Sequence, residues 1–396
     1  MNIRSTLKKN YLINFLNTII KAKQQNRKAK KELLVYKKKA LENNIKELSV
    51  KEILKSLQAR LSDRGITPIP KSMGEMNIFV VYSLNNWESV IPLSLELFGN
   101  VVEYEWRSHG YDERLGDWIS ERDKMNQEVL DLFYKTNKKS PVDIVVGYLS
   151  GFTMNPEILS KMGESGSVII NFNWDDKLWF NGENFGGRSS GPASIASTVD
   201  LNLTNSPESR IKYFVEGGLA MFWPEAGYPS IHKSYEYEYV HDVSFVGGKY
   251  GWRPYFINML KKNGIKVACF GNGWENGPLS DDDMVKLYSR SRINLGFSGV
   301  GHSKELMCLK GRDFEVPMSG GLYLTQDNPE LSLVYDIGKE IVTYKDASDC
   351  VNKIKWLLAN PDKAEKIRKS GELSAISKHR WKDRFSEVFQ LIGLLR

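Results

Sequence analysis

The segment Lys310-Gly-Arg-Asp-Phe-Glu-Val-Pro-Met-Ser-Gly-Gly321 gathers two cations, a carboxylate and a glycine pair around one short helix. Each suits one part of an activated nucleotide. Arg312 can grip phosphate oxygens bidentately. Glu315 can accept both hydroxyls of a ribose, and Gly320-Gly321 can let the backbone lie against a ligand. The competing reading is an Arg312–Glu315 surface pair at i, i+3, which contributes little. A second candidate is Phe245-Val-Gly-Gly-Lys-Tyr-Gly-Trp-Arg253, where glycines follow a strand and open a helix. There Gly248 permits close approach, and the helix N-terminus with Lys249 or Arg253 supplies positive potential for a phosphate. This stretch lacks the Walker and the full Gly-x-Gly-x-x-Gly spacing, and an ordinary strand–helix turn explains it equally well.

These side chains need a frame that brings distant loops together. Residues 5–62 read as helices, because Leu33, Leu34, Leu41, Ile45, Leu48, Ile53, Leu54 and Leu57 recur at three- and four-residue spacings. Gly65-Ile-Thr-Pro-Ile-Pro-Lys-Ser-Met-Gly74 is a linker, broken by two prolines and two glycines. Short apolar runs then alternate with helical stretches, at 77–82, 101–106, 142–147, 167–171, 200–204 and 219–222. After the turn-rich Pro224–Pro229 and a tyrosine-rich stretch ending at Asp242, a second series follows at 243–248, 265–270, 293–297, 321–325 and 340–343. Nearly unbroken apolar runs fit strands covered on both faces, and the alternation implies parallel sheets with right-handed crossovers. The expected fold class is α/β: two Rossmann-like doubly wound domains facing a cleft, with an N-terminal helical extension. The expected division is 1–74 for the basic extension and linker, 75–238 for the N-terminal domain, 239–378 for the C-terminal domain, and 379–396 for a terminal helix crossing back. Ligands of such folds sit outside the carboxyl ends of the strands.

Composition narrows the chemistry. With 41% hydrophobic and 26% charged residues, the 396-residue chain has an ordinary globular mix, which excludes disorder throughout. Cys269, Cys308 and Cys350 show no Cys-x-x-Cys spacing, arguing against a zinc ribbon or disulfide framework and for a reducing compartment. The five histidines lie far apart, so a metal-independent reaction is expected. The first 60 residues carry 16 Lys+Arg and 4 Asp+Glu, accounting for +12 of the net +7 and leaving −5 for the remainder. This basic segment reads either as an arm touching an anionic membrane surface or polyanionic acceptor, or as a solvated lysine-rich helix. Nothing in it resembles a nucleic-acid module, so no nucleic-acid partner is expected. Its apolar stretch Tyr11–Ile20 is interrupted by two asparagines and is about half the ~20 residues a spanning helix needs. The expected location is cytoplasmic, with the inner face of the membrane as the surface for a peripheral contact.

The second half resembles the group 1 glycosyltransferases of the GT-B fold, and in particular the CgeB-like family. The resemblance rests on Phe245-Val-Gly-Gly248, Phe270-Gly-Asn-Gly-Trp274, Tyr288-Ser-Arg-Ser-Arg-Ile-Asn-Leu295, Gly311-Arg-Asp-Phe-Glu315 with Gly320-Gly321, and Leu358-Ala-Asn-Pro-Asp362 followed by His379-Arg-Trp-Lys-Asp-Arg384. The first half matches more loosely through Asn173-Trp-Asp-Asp176 and Thr204-Asn-Ser-Pro-Glu-Ser209. The resemblance implies transfer of a sugar from a nucleotide-diphosphate sugar to a glycan, lipid-linked or protein acceptor, with no permanently bound cofactor. It makes Glu315, with Gly320 five residues on, the ribose-holding glutamate. Arg253 and Arg312 become the diphosphate cations, with Lys249 a third. The loop around Gly273 and Trp274 becomes the wall beside the base. Asp175 and Asp176 fall where relatives place a short polar motif facing the donor sugar.

Many retaining relatives carry two glutamates seven residues apart, but the earlier position here is Met307, with Glu305 out of step. Retention and inversion therefore both stay open. In an inverting reaction a carboxylate takes the acceptor proton. The candidates are Asp175 and Asp176, with His109 and Asp112 of Ser108-His-Gly-Tyr-Asp112 behind them. Asp175 as a helix cap and His109 as a plain loop residue are the competing readings. The glycine-rich loop 182–191 reads as a mobile flap beside the acceptor or as an ordinary surface excursion. Two other functions fit the same frame, a sugar-nucleotide epimerase and a non-catalytic nucleotide-sugar-binding or scaffold protein.

Overall fold

The protein is described here by a computed structural model covering residues 3–83, 90–236 and 238–396, with side chains from residue 13 onward. The chain divides into two compact units, Ala29–Pro224 with Trp381–Arg396, and Glu225–Arg380 with Met1–Lys28. The division thus falls at 224/225 and not at 238/239. The basic extension is no separate arm: helix α1 (Ile3–Glu42) gives its later half to the first unit and its earlier half to the second.

In the first unit α1 buries Ala29, Tyr36 and Ala40, while Leu34 and Leu41 of the expected leucine stripe stay exposed. The physical reason is polar. Tyr36 donates its hydroxyl to Glu216 at 2.6 Å, and Lys212 pairs with Glu32 at 2.9 Å with both side chains buried. Alanines flanking these contacts let the helix approach closely. Helix α2 (Val50–Asp63) starts on a capping box in which Ser49 and Glu52 satisfy each other's backbone amides, and it buries Ile53, Leu57 and Leu61.

The sheet of this unit contains β1 (Met76–Tyr82), β2 (Gly99–Glu105), β3 (Ile144–Gly147) and β4 (Val168–Asn173), joined by α3 (Val90–Leu95), α4 (Trp118–Lys139) and α5 (Pro156–Glu164). After β4 come the short α6 (Asp176–Trp179) and a two-residue hairpin of β5 (Asn184–Phe185) and β6 (Arg188–Ser189). Then β7 (Leu201–Thr204), α7 (Arg210–Val215) and β8 (Ala220–Phe222) complete it. Among the described residues the strand order is β2-β1-β3-β4-β7-β8, and every pairing is parallel. Strand β4 is buried at all six positions, as both-face coverage requires.

The second unit repeats the plan. Its strands are β9 (His241–Val246), β10 (Val267–Phe270), β11 (Ser291–Leu295), β12 (Tyr323–Gln326) and β13 (Val342–Tyr344), in the parallel order β10-β9-β11-β12-β13. Helices α8 (Arg253–Lys262), α9 (Asp281–Ser289), α10 (Arg312–Met318), α11 (Ala347–Ala359) and α12 (Pro361–Lys378) flank it. Val243, Phe245, Phe256, Leu295 and Leu324 centre its core. The last helix, α13 (Trp381–Ile392), belongs to the first unit, where Phe385 and Phe389 pack on Phe98.

Candidate functional site

In the second unit three loops leave the carboxyl ends of β9, β10 and β11, where a parallel sheet collects ligand-binding residues. The first two interlock. Gly247 donates to Phe270 O at 2.8 Å, and Lys249 donates to Asn272 O at 2.9 Å. Gly271 has φ +121°, and a Cβ there would lie 2.5 Å from Gly247 O, so only glycine lets these loops touch. Trp274 donates its indole N–H to Gly247 O at 2.8 Å, and the Lys249 ammonium lies 5.2 Å over its ring. The indole is therefore fixed beside the loop with Lys249 on its ring. Gly273 packs against the Lys249 side chain.

Arg253 opens α8 and turns back under its own loop. Its guanidinium donates to Gly248 O at 3.2 Å and stacks 4.2 Å over Tyr250. It is 5% exposed and meets no carboxylate within ion-pair distance among the described residues. Burial, and then the positive charge of Arg312, push its pKa down to about 10. Arg312, at the start of α10, makes no hydrogen bond or ion pair with any described residue, and its Nε is buried and unsatisfied. Glu315, one turn on, is 7% exposed, and its carboxylate likewise accepts no hydrogen bond among the described residues. Burial pushes it up to about 7, with Arg312 pulling the other way. The i, i+3 surface pair is thus absent: Glu315 is buried, Arg312 is half-buried with its Nε buried, and neither hydrogen-bonds the other. Buried charges without partners are costly, so such a cluster points to an absent ligand. Two guanidinium groups suit a diphosphate, and a nearby carboxylate suits vicinal hydroxyls.

Gly320 and Gly321 stand apart from this cluster, at the far end of α10. Arg368 donates to Gly320 O at 3.0 Å, and a Cβ on Gly320 would meet Ser234 Oγ at 2.2 Å. They serve the turn into β12 instead of approaching a ligand beside Arg312. Met307 lies in an antiparallel bridge with Gly299, and Glu305 accepts from Asn26 at 3.0 Å. Neither supplies the earlier carboxylate of the two-glutamate pattern.

The first unit has its own cavity of about 320 Å³ at the carboxyl ends of β1, β3 and β4. Trp106, Tyr148, Phe152 and Trp179 form apolar walls, and Ser83, Ser150, Thr153 and Asn173 add polar groups. Asp175 lines it with an exposed carboxylate. Although it precedes α6, its side chain makes no capping hydrogen bond; Tyr148 donates to its Oδ2 at 3.4 Å. Glu113 also lines the cavity, held by Arg107 and by the Trp106 indole at 2.9 Å. Burial raises its carboxyl, but the Arg107 and Trp106 hydrogen bonds outweigh that and leave it below its ordinary pKa. Sequence reasoning missed Glu113 and the serine and threonine lining, because residues from four separate loops carry no common spacing.

The other candidates of the first half lie elsewhere. Asp176 is fully buried, faces Tyr213 at 2.9 Å, and has its pKa raised by burial; it braces the core and cannot meet an acceptor. His109 lies on an exposed turn with its ring stacked 4.0 Å on Tyr104, outside the cavity lining, and Asp112 is held by Arg114 at 2.7 Å. The loop 182–191, read as a flap or as a surface excursion, is a hairpin hydrogen-bonded beside the cavity. Gly186 and Gly187, both at positive φ, close the β5–β6 hairpin, and Gly151 and Phe152 donate to Gly191 O and Ser190 O at 3.0 and 2.9 Å.

Residues 253–390 match the family model described as Glycosyl transferase-like. No curated protein sequence matches the chain. Among solved structures, sucrose-phosphate synthase from Thermosynechococcus elongatus aligns at 10% identity, covering 80% of this chain and 98% of that one, with a TM-score of 0.57. HepE from Anabaena in complex with UDP and glucose aligns at 10% identity over 81% and 100%, with a TM-score of 0.54. An alpha-glucosyltransferase in complex with UDP-glucose and DNA containing an abasic site aligns at 12% identity over 81% and 100%, with a TM-score of 0.50. At these identities the likeness shows the fold: the α/β, two-sheet GT-B architecture.

Proposed function

We propose that the chain is a glycosyltransferase that moves a sugar from a nucleoside diphosphate sugar to a hydroxyl-bearing acceptor. The observation that carries this reading is the trio Arg253, Arg312 and Glu315: two buried or half-buried cations and a buried carboxylate, none with a charged partner at ion-pair distance. Diphosphate oxygens satisfy the guanidinium groups, and ribose hydroxyls satisfy the carboxylate. The match of residues 253–390 to a Glycosyl transferase-like family and the UDP and UDP-glucose held by structural neighbours support it. The resemblance of this half's motifs to group 1 enzymes, and to their CgeB-like branch, is in line with that reading.

In the reaction, the bond from the anomeric carbon to the diphosphate oxygen breaks as a bond to the acceptor oxygen forms. Charge grows on the leaving diphosphate, where Arg253 and Arg312 already stand, so no reorganisation is needed when it appears. These fixed cations let the chain work without a divalent ion. Asp175 takes the acceptor proton, and the aromatic walls around it suit a sugar ring or other flat, hydroxylated face of a glycan or glycolipid. That assignment makes the outcome inversion. The test is a panel of nucleoside diphosphate sugars, with released nucleotide and transferred sugar read by mass spectrometry in chelator. Absence of binding by every donor would end the proposal. Binding without turnover would favour a nucleotide-sugar-binding scaffold, the reading that the carboxylate-free Met307 position raises. A rate abolished by chelator would remove the metal-independent step alone.

A further inference from the structure

A second cavity, of about 470 Å³, lies in the second unit between the start of α1 and α8. Phe15, Ile19 and Ala22 line it from α1, and Trp252, Tyr255 and Met259 from α8. Phe15 holds the two helices together by resting its ring 4.7 Å from that of Tyr255. The volume falls within the roughly 300–1,000 Å³ of ligand sites, and its lining is more apolar than that of the cavity at Asp175. Lys23, Lys262 and Lys304 also line it, opposed by Glu305, which Asn26 occupies as a donor. Two polar atoms of lining residues, Asn26 Oδ1 and His302 Nδ1, are buried and make no hydrogen bond. An apolar bore with a cationic rim and unsatisfied polar atoms asks for an amphiphile with an anionic, hydroxylated head.

The same helix shows what presents that amphiphile. Ile13, Leu16 and Ile20 recur at three- and four-residue spacing on α1 and are 44%, 49% and 52% exposed, and Lys23 and Arg27 continue that face. An exposed apolar stripe bordered by cations is the pattern of a helix lying in a bilayer interface. We propose that the beginning of α1 docks on an anionic phospholipid bilayer and that the α1–α8 cavity takes one acyl chain, with the lysine rim on the head group. This cavity shares α8 with Arg253, but Arg253, Arg312 and Glu315 do not line it, and the proposal does not depend on the donor reading.

The test uses the full chain and vesicles of phosphatidylcholine with or without phosphatidylglycerol, in a flotation assay. Binding is expected with phosphatidylglycerol and is expected to fall at least fivefold without it. Ala22→Trp fills the cavity without changing charge and should weaken partition about tenfold. Phe15→Ser, which opens the apolar wall without adding bulk, should weaken it similarly, and Lys262→Glu should do so in a salt-dependent way. Lys38→Glu, farther along α1, should change it less than twofold. Circular dichroism and thermal unfolding report whether each variant is folded. Failure of the wild-type chain to float, equal binding to neutral vesicles, or undiminished binding by folded Ala22→Trp and Phe15→Ser would each overturn the proposal. The last result would reduce the contact to unspecific attraction between lysines and lipid.

Discussion

Arg312 presses on Arg253: the charge of one guanidinium helps push the other's pKa down to about 10, and no described carboxylate lies at ion-pair distance from either. A folded chain gains nothing from that arrangement by itself. Its cost is repaid only when an anion arrives.

Replacing either arginine should therefore separate binding from stability. Each charge-assisted hydrogen bond contributes about 1.5–3 kcal/mol. Arg312→Ala should weaken UDP-glucose binding by one to two powers of ten in calorimetric titration, with Tm unchanged or raised. A lowered Tm with unchanged affinity would mark Arg312 as a structural residue.

Glu315 sets a pH dependence. Burial lifts it from 4.5 to about 7 in the folded, unliganded chain. A folded-state acid with a raised pKa holds its proton longer than in the unfolded chain, so stability should fall as pH climbs from 4.5 towards about 7. Glu315→Gln should abolish that fall in denaturation curves. Ribose hydroxyls favour the ionised form, so wild-type affinity for UDP-glucose should rise roughly tenfold from pH 6 to pH 8. A flat affinity profile in the wild type would remove the carboxylate from the binding step.

The neighbouring aspartates should part company. Asp175→Asn should reduce the transfer rate by roughly 10²–10⁴ while UDP-glucose affinity holds. Asp176→Ala should instead destabilise the fold by about 1–3 kcal/mol, since it strands the Tyr213 hydroxyl in the core. Comparable kcat values for Asp175→Asn and the wild type would exclude Asp175 as the base.

Gly151 holds the hairpin to the acceptor-side cavity. A Cβ there would lie 2.0 Å from Ser194 Oγ and 2.1 Å from Ser189 O. Gly151→Ala should cost about 1–3 kcal/mol by overpacking, and should raise the acceptor KM by displacing Ser190 and Gly191. An unaltered acceptor KM would show that this wall does not touch the acceptor.

Much of this frame was readable from residue order. Both strand series appear within two or three residues of their expected places, because buried parallel strands leave unbroken apolar runs. The places of Arg253 at the start of α8 and of Arg312 and Glu315 on α10 were readable because their motifs are local. Gly320-Gly321 misled, since a glycine pair looks the same in a turn beside core side chains as beside a ligand. Asp175 and Asp176 were inseparable in sequence, yet one peptide step at the start of α6 sends one side chain into the cavity and the other into the core. The leucines of α1 misled for a similar reason: Tyr36 and Glu32 find polar partners in the fold, and that outweighs the apolar periodicity.

The buried ion pair between Glu32 and Lys212 limits how the chain can be shortened. Trimming the entire lysine-rich start would take the Glu32 carboxylate from the Lys212 ammonium and would strip Glu216 of the Tyr36 hydroxyl. Stranding a buried charge in this way costs far more than deleting an exposed tail. A shortened form that begins at residue 29 keeps these anchors, whereas one that begins at 61 forfeits them and invites aggregation of a unit that was never meant to stand without its first helix.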